Sequence, residues 1–301
     1  MRRLLPLLLV CAFVTACTAE PLDDPIPMSV PQQPVSPSPS PTPSPPSSRS
    51  RLAAPPSIPA PKIADGEYFL GPYGREAAVA NPLYGAPKAT AKCPLPAIKA
   101  GSWASMKHYM KKISSCLDRI WAREFWRTRI RFSPPRARFV QRRTEDRECG
   151  LMPSKGADGT YCDETRTYYV IVRRSELHSW AVPWIAEVIA HEYSHHLQAL
   201  ANISDYEWDV YDNSATRKAE DLASRRLELQ AECLAGVALH AMRGELPPWW
   251  QFRETYQGTL NGQWVRDHGR LSTQLRWLEK GYHSGRPGSC DTWSPRKSAV
   301  T

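Results

Sequence analysis

Apolar side chains recur at spacings of three and four residues in several long segments, which is the pattern of a helix with one buried face. In residues 105–126 these positions include Met106, Met110 and Ile113. A proline early in a segment fits the first turn of a helix, and prolines beyond its end prevent continuation. The predicted helices span residues 105–126, 183–201, 216–242 and 271–280. Gly244 is the predicted cap of the third helix.

Two shorter segments favour β-strands because they contain β-branched and aromatic residues. Residues 166–172, RTYYVIV, give the stronger prediction and residues 136–141 the weaker one. The polar segments 144–160, which contains three glycines, and 202–216 are predicted loops. The order of helix, strands, helix and helix predicts an α+β fold that is mainly helical, with a small sheet beside the helix at 183–201.

The first 17 residues, MRRLLPLLLVCAFVTAC, have the pattern of an export signal. Two arginines precede an apolar run that is shorter than the ~20 residues of a membrane span, and small residues follow it. The final VTAC resembles a bacterial lipobox, whose cysteine becomes the acylated first residue of the mature protein. We therefore expect residues 1–17 to be a lipoprotein signal peptide and Cys17 to carry lipid. The alternatives are an ordinary cleaved signal and an uncleaved anchor helix.

Residues 18–62 are rich in proline and serine and hold about half of the 29 prolines of the chain. Such a segment cannot bury a core and favours extended conformations. We predict a tether that spaces a domain of residues 63–301 from a membrane, and a ligand for a proline-binding module is the alternative. The expected location is the extracytoplasmic face of a bacterial membrane, where the lipid anchor holds the protein.

The formal net charge of +9 is concentrated in residues 119–147, where arginines are mixed with aromatic side chains. Such a segment can bind a polyanion, which for an exported protein means membrane head groups or wall polymers. A solvated face with partly ion-paired charges is the favoured interpretation. No nucleic-acid partner is expected.

The sequence HEYSH contains an H-E-x-x-H pattern inside the second predicted helix. Residues four apart lie on one helix face, so His191 and His195 can direct two ring nitrogens at one metal ion, with Glu192 beside them. A third histidine ligand would require the pattern H-E-x-x-H-x-x-G-x-x-H, but Gln198 and Ala201 occupy its last two defined positions.

Catalytic zinc usually takes three protein ligands, so two histidines leave one position to fill. Glu228 and Glu232 are also four residues apart on one face of a predicted helix. One of these carboxylates can complete a His-His-Glu set, and the other can orient a histidine ligand through its second ring nitrogen.

The string HEYSHHLQ followed by RRLELQAECLAGV resembles the putative neutral zinc metallopeptidase family, a set of gluzincin-like proteins. The resemblance covers roughly residues 81–293, with NPLY before Cys93, then CLDRIWAREF, YCDETRTYYV, HGRLSTQLRWLEKGY and CDTW. It implies a zincin-like metallopeptidase domain with Zn²⁺ as cofactor. The implied roles are zinc ligand for His191, His195 and Glu228, catalytic base for Glu192, and orienting residue for Glu232.

Glu232, His268 and His196 are three positions at which the sequence qualifies what the family pattern implies. The family usually has Asp where this chain has Glu232, whose side chain is one methylene longer and must reach the same imidazole. His268 stands in a family-like setting and is a candidate donor to the oxyanion, with an ordinary structural histidine as the alternative. His196 lies off the metal face by about 100° of helix turn, so we expect a solvent-exposed or packing side chain.

The resemblance implies hydrolysis of a peptide or protein substrate by metal-activated water, with Glu192 as the proton acceptor. The strand at 166–172 either lies along the cleft and pairs with an extended substrate, or is a buried core strand. The alternative to an enzyme is a surface binding or scaffold lipoprotein that retains an idle zinc site.

Six further cysteines in an exported chain favour disulfides, although six thiols permit 15 connectivities and the sequence alone does not choose among them. Our hypothesis pairs Cys93 with Cys116, Cys149 with Cys162, and Cys233 with Cys290.

Overall fold

The computed structural model describes residues 69–301, except 259 and 261. The predicted signal peptide, its Cys17 and the tether of residues 18–62 lie outside the described residues. The helices are α1 (Arg75–Val79), α2 (Trp103–Thr128), α3 (Val182–Leu200), α4 (Ile203–Asp212), α5 (Arg217–Ala241), α6 (Trp249–Glu254), α7 (Gly262–Asp267) and α8 (Leu271–Ser284). The strands are β1 (Arg136–Val140), β2 (Thr144–Asp146), β3 (Gly150–Met152), β4 (Gly159–Cys162) and β5 (Thr167–Ile171).

The four predicted helices correspond to α2, α3, α5 and α8. Side chains cap two of them, since Ser102 accepts a hydrogen bond from the amide of Ser105 at the start of α2, and Thr216 does the same for α5. α8 continues one turn beyond its predicted end to Gly285, whose φ of 61° is readily adopted by glycine. The predicted cap of α5 at Gly244 is wrong, because the helix ends earlier, at Ala241.

The predicted loop at 202–216 is wrong, since most of it forms α4. This helix buries Ile203 and Glu207, which are four residues apart, and leaves Trp208 60% exposed. The carboxylate of Glu207 accepts a hydrogen bond from the hydroxyl of Ser224 on α5, at 3.0 Å. The buried position of Glu207 is therefore polar, and the spacing of apolar residues that indicates a helix is interrupted there.

The main sheet has the strand order β1-β5-β4, with β1 parallel and β4 antiparallel to the central β5. β5 is buried at every position except its last, so the core-strand interpretation of residues 166–172 is confirmed. The edge strand beside α3 is β4. The loop predicted over 144–160 is wrong in part, because it contains the β2–β3 hairpin and the start of β4.

Helix α5 packs against both α3 and α8. Two glycines allow α5 and α8 to meet backbone to backbone. A Cβ atom at Gly236 would collide with the carbonyl oxygen of Leu278, and one at Gly281 with that of Cys233. Together with the small sheet, this arrangement is the predicted α+β fold. No helix in the described part of the chain is both long and apolar enough to span a membrane.

The three predicted disulfide pairings are confirmed: Cys93–Cys116, Cys149–Cys162 and Cys233–Cys290. The first joins the segment before α2 to that helix, and the second closes the segment that precedes β5. The third ties the C-terminal segment to α5, one turn beyond Glu228. A disulfide that closes a loop of about 15 residues contributes about 3 kcal/mol by restricting the unfolded chain, and longer loops give somewhat more.

Candidate metal centre

Helices α3 and α5 bring three of the predicted donor atoms to one point. The Nε2 atoms of His191 and His195 lie 3.2 Å apart. The Oε2 atom of Glu228 lies 3.2 Å from the first and 3.4 Å from the second. All three side chains are largely buried.

These separations fit a shared metal ion. Zinc bonds to nitrogen and oxygen are about 2.0–2.2 Å long, and the edge of a tetrahedron of that size is roughly 3.3 Å. Two imidazoles and one carboxylate are also a donor set that zinc accepts in catalytic sites. The three residues therefore have both the spacing and the chemistry of a three-ligand zinc site.

Gln198 fixes the ring of His195. Its side-chain nitrogen donates hydrogen bonds to the carbonyl oxygen of Leu227 at 2.8 Å and to Oε1 of Gln230 at 3.0 Å. Its Oε1 atom is therefore free to accept from Nδ1 of His195, 3.0 Å away. With the proton on Nδ1, Nε2 of His195 presents a lone pair to the metal position. Sequence reasoning used Gln198 only to exclude a third histidine.

The other histidine has carboxylates on its Nδ1 side. Oε1 of Glu232 lies 3.6 Å from Nδ1 of His191, a buried nitrogen that makes no hydrogen bond. Tyr256 donates a hydrogen bond to Oε2 of Glu232 at 2.8 Å and also contacts Glu187, so the three side chains form one cluster. Burial and the charge of Glu232 raise the pKa of Glu187 well above its ordinary value.

Ligand atoms of Glu187, His191 and Glu232 also lie within 4.8 Å of one another, so this cluster could hold a cation too. The two groups share one imidazole, however, and the second lies behind it. We therefore regard these carboxylates as the groups that orient His191. Neither Glu187 nor Tyr256 was predicted, because no short motif connects them to the histidines.

Glu192 is buried against β4, next to Gly159. Burial raises the pKa of its carboxyl group, and the neighbouring His191 and His195 oppose that rise. A buried carboxylate beside two potential metal ligands is well placed to exchange a proton with a water molecule there.

His268 follows α7 and reaches the same carboxylate. Its Nε2 atom lies 3.4 Å from Oε2 of Glu228, and its Nδ1 atom lies 2.7 Å from Oδ1 of Asp267. Burial lowers the pKa of His268, but Glu228 and Asp267 outweigh that effect, and the net shift is upward. The structure thus brings His268 to the site, although the spacing of the sequence does not link it to HEYSH.

His196 is a packing residue, one of the two expected outcomes. It is fully buried, with Nε2 at 2.6 Å from the carbonyl oxygen of Ser133 and Nδ1 at 2.9 Å from the hydroxyl of Tyr161. Burial lowers its pKa to about 4. Since Tyr161 belongs to β4, this contact ties the edge strand to α3.

The donor atoms face a cleft of about 1030 Å³. One wall is formed by residues 154–164, which include β4, and another by α3 and α5. The exposed ring of Trp208 and the ring of Trp264 contribute aromatic surface to the rim.

The sequence matches the model of a known family. The sequence model of the family described as "putative neutral zinc metallopeptidase" matches residues 86–247. The chain belongs to this family. The match includes His191, His195 and Glu228, whereas His268 lies beyond it.

Two curated relatives of the chain carry the same name, "Uncharacterized protein YpfJ", and come from Escherichia coli K12 and Escherichia coli O6:H1. Each is 33% identical over 121 residues, which cover 35% of this chain and 42% of the relative. The alignment thus spans less than half the length of the curated relatives. No solved structure matches the chain significantly. Family membership supports a zinc-dependent hydrolase, and the three donors described above are the residues that fit the metal.

Proposed function

We propose that this protein is a zinc-dependent peptidase that acts outside the cytoplasm, held to a bacterial membrane by lipid on Cys17. The convergence of Nε2 of His191, Nε2 of His195 and Oε2 of Glu228, with the buried Glu192 beside them, carries the proposal. His191, His195 and Glu228 are the proposed zinc ligands.

The proposed chemistry assigns a separate task to each remaining side chain. Zinc, when bound, polarises a carbonyl group and lowers the pKa of water to about 7. Glu192 accepts a proton as the water oxygen bonds to the peptide carbon, and it delivers that proton to the amine nitrogen when the C–N bond breaks. His268 is the proposed hydrogen-bond donor to the carbonyl oxygen as negative charge develops there. Gln198 orients the imidazole of His195 by a hydrogen bond, and the carboxylate of Glu232 faces Nδ1 of His191 and orients that ring by its charge.

The proposed substrate is an extended peptide or a protein segment, aligned along β4. This strand pairs with β5 on one side only, among the described residues, and its residues line the cleft. An edge strand can add a peptide by main-chain hydrogen bonds, which are independent of the side chains of the peptide. The cleft and the edge strand together therefore support a peptide substrate over a small metabolite.

The proposed function predicts a metal requirement. Treating the purified protein with a chelator should remove nearly all hydrolysis of a mixed peptide library, and Zn²⁺ should restore it, because two of the three ligands are imidazoles. Mg²⁺ is the matched control, since it prefers oxygen ligands and should not restore cleavage. Metal content and peptide fragments are both measured by mass spectrometry. Cleavage that persists in the metal-free protein would contradict the proposal.

The membrane location rests on the lipobox-like VTAC and is tested separately. Replacing Cys17 with alanine should abolish labelling of the protein by a radioactive fatty acid and release it from the membrane fraction into the medium. A Cys11→Ala variant is the control, because that cysteine lies outside the lipobox-like motif. Labelling that survives in Cys17→Ala would place the anchor elsewhere.

A further inference from the structure

Gly159, the first residue of β4, faces the side chain of Glu192 without an intervening group. A Cβ atom built at Gly159 would lie 2.6 Å from both Cγ and Oε1 of Glu192, and 2.8 Å from Cγ1 of Val188. Ordinary carbon contacts are about 3.5–4.0 Å, so a methyl group and the observed carboxylate cannot occupy this space together.

The backbone of Gly159 does not itself require glycine. Its φ is not among the positive values found at other glycines of the described chain. An alanine could therefore adopt the same main-chain conformation. What glycine provides at this position is room, and Glu192 fills that room.

The strand cannot easily withdraw from an added methyl group. Gly159 is paired with Val170 of the buried strand β5. Close by, the amide of Ile171 donates a hydrogen bond to the carbonyl oxygen of Asp158, at 2.8 Å. Tyr161 is held to α3 through His196. The Glu192 side chain, including its Cγ, can move at lower cost than the strand because it turns about single bonds, and the side chain of Val188 must also give way slightly.

We propose that Gly159 is a positioning residue for Glu192: the missing side chain lets the carboxylate lie against β4. The inference rests on the proposed role of Glu192 as base. On this proposal β4 has a second role besides pairing with the substrate, because the strand also restricts the position of the Glu192 carboxylate.

The test replaces Gly159 with alanine. We expect kcat to fall about 10- to 100-fold, since a misplacement of about 1 Å can cost 10²-fold, while zinc content and KM stay close to those of the parent. Gly244→Ala is the matched control, because no atom lies within 4 Å of a Cβ at that position and its φ is not positive. The control should cleave as the parent does.

A double variant separates this role from a block of the substrate. If Gly159 acts through the base, adding Gly159→Ala to a Glu192→Gln protein should cause little further loss, because residues that act as one unit are not additive. A full further loss in that background would show that the methyl group obstructs the substrate, and the positioning role would be rejected.

A crystal structure of Gly159→Ala gives a readout that does not depend on activity. A Glu192 carboxylate displaced from its parent position supports the inference even if no peptide is cleaved, in which case only the proposed reaction fails. An unmoved Glu192 in the alanine variant would overturn the inference whatever the kinetics show.

Discussion

Replacing Glu192 with glutamine is expected to slow peptide hydrolysis at least about a hundredfold, because general base catalysis typically contributes 10²–10⁴-fold. Glutamine has nearly the same shape as glutamate but cannot accept a proton from water. It fits the space beside Gly159 and leaves the three proposed zinc ligands unchanged. The loss should therefore appear in kcat, while metal content and thermal unfolding stay near the parent values.

The control for this variant is Glu124→Gln, which changes a buried carboxyl group of α2 whose side-chain partners are Arg123 and Arg127. We expect Glu192→Gln to be impaired far more than this control. A Glu192→Gln protein that cleaves as well as the parent would remove this residue from the mechanism. A parent protein that binds zinc but cleaves nothing in a broad peptide library would favour a binding lipoprotein with an idle site.

Replacing Glu228 with alanine is expected to remove most bound zinc, whereas Glu232→Ala should weaken zinc binding by about 10- to 100-fold, as is typical for residues that orient a ligand. The difference follows from geometry. Oε2 of Glu228 lies 3.2 and 3.4 Å from the two Nε2 atoms, whereas Oε1 of Glu232 approaches only Nδ1 of His191, at 3.6 Å.

Zinc affinity is measured for both variants by competition with a chromogenic chelator, together with circular dichroism to show that each is folded. The parent protein is the reference for zinc affinity. Glu232→Gln, which retains a side-chain oxygen, should bind zinc with an affinity between those of the parent and Glu232→Ala. The assignment of ligand and orienting residue would be reversed if Glu232→Ala lost more zinc than Glu228→Ala.

Much of the fold could be predicted because its long helices bury apolar side chains at regular spacing. The pattern of α2, from Met106 to Phe125, and that of α3 are both of this kind. The prediction failed where a buried position is polar: α4 buries Glu207, which a hydroxyl on α5 satisfies, so no apolar stripe marks that helix. The short strands β2 and β3 leave too few residues for a pattern of alternation.

The metal centre was predictable to the extent that its residues repeat at helical spacing. His191 with His195, and Glu228 with Glu232, are such pairs. Tyr256 and Glu187 were not predictable, because their contact with Glu232 depends on how separate helices pack. Of the residues around the histidines, Glu232 was therefore predicted, whereas Glu187, Tyr256 and the role of Gln198 became visible only with the tertiary structure.

A strong strand pattern in the sequence also does not show whether the strand lies at the centre or at the edge of the sheet. RTYYVIV is the more apolar strand and became the buried centre of the sheet, as β5. The edge that faces the cleft is β4, whose GTYC sequence has a weaker strand signal. A glycine at its start weakens the pattern in sequence, yet this is the position that leaves space for Glu192.

The close contact between α5 and α8 at their glycines determines whether Glu232 could replace Glu228 as a zinc ligand. Glu228 and Glu232 lie on the same helix, and bringing Glu232 to the position of Glu228 would require α5 to slide by about one turn, 5.4 Å. Gly236 and Gly281 allow the backbones of α5 and α8 to pack in direct contact, and the disulfide Cys233–Cys290 ties α5 to the C-terminal segment. If Glu228 is replaced, the carboxylate of Glu232 therefore cannot reach its position. The site then has no substitute ligand on α5.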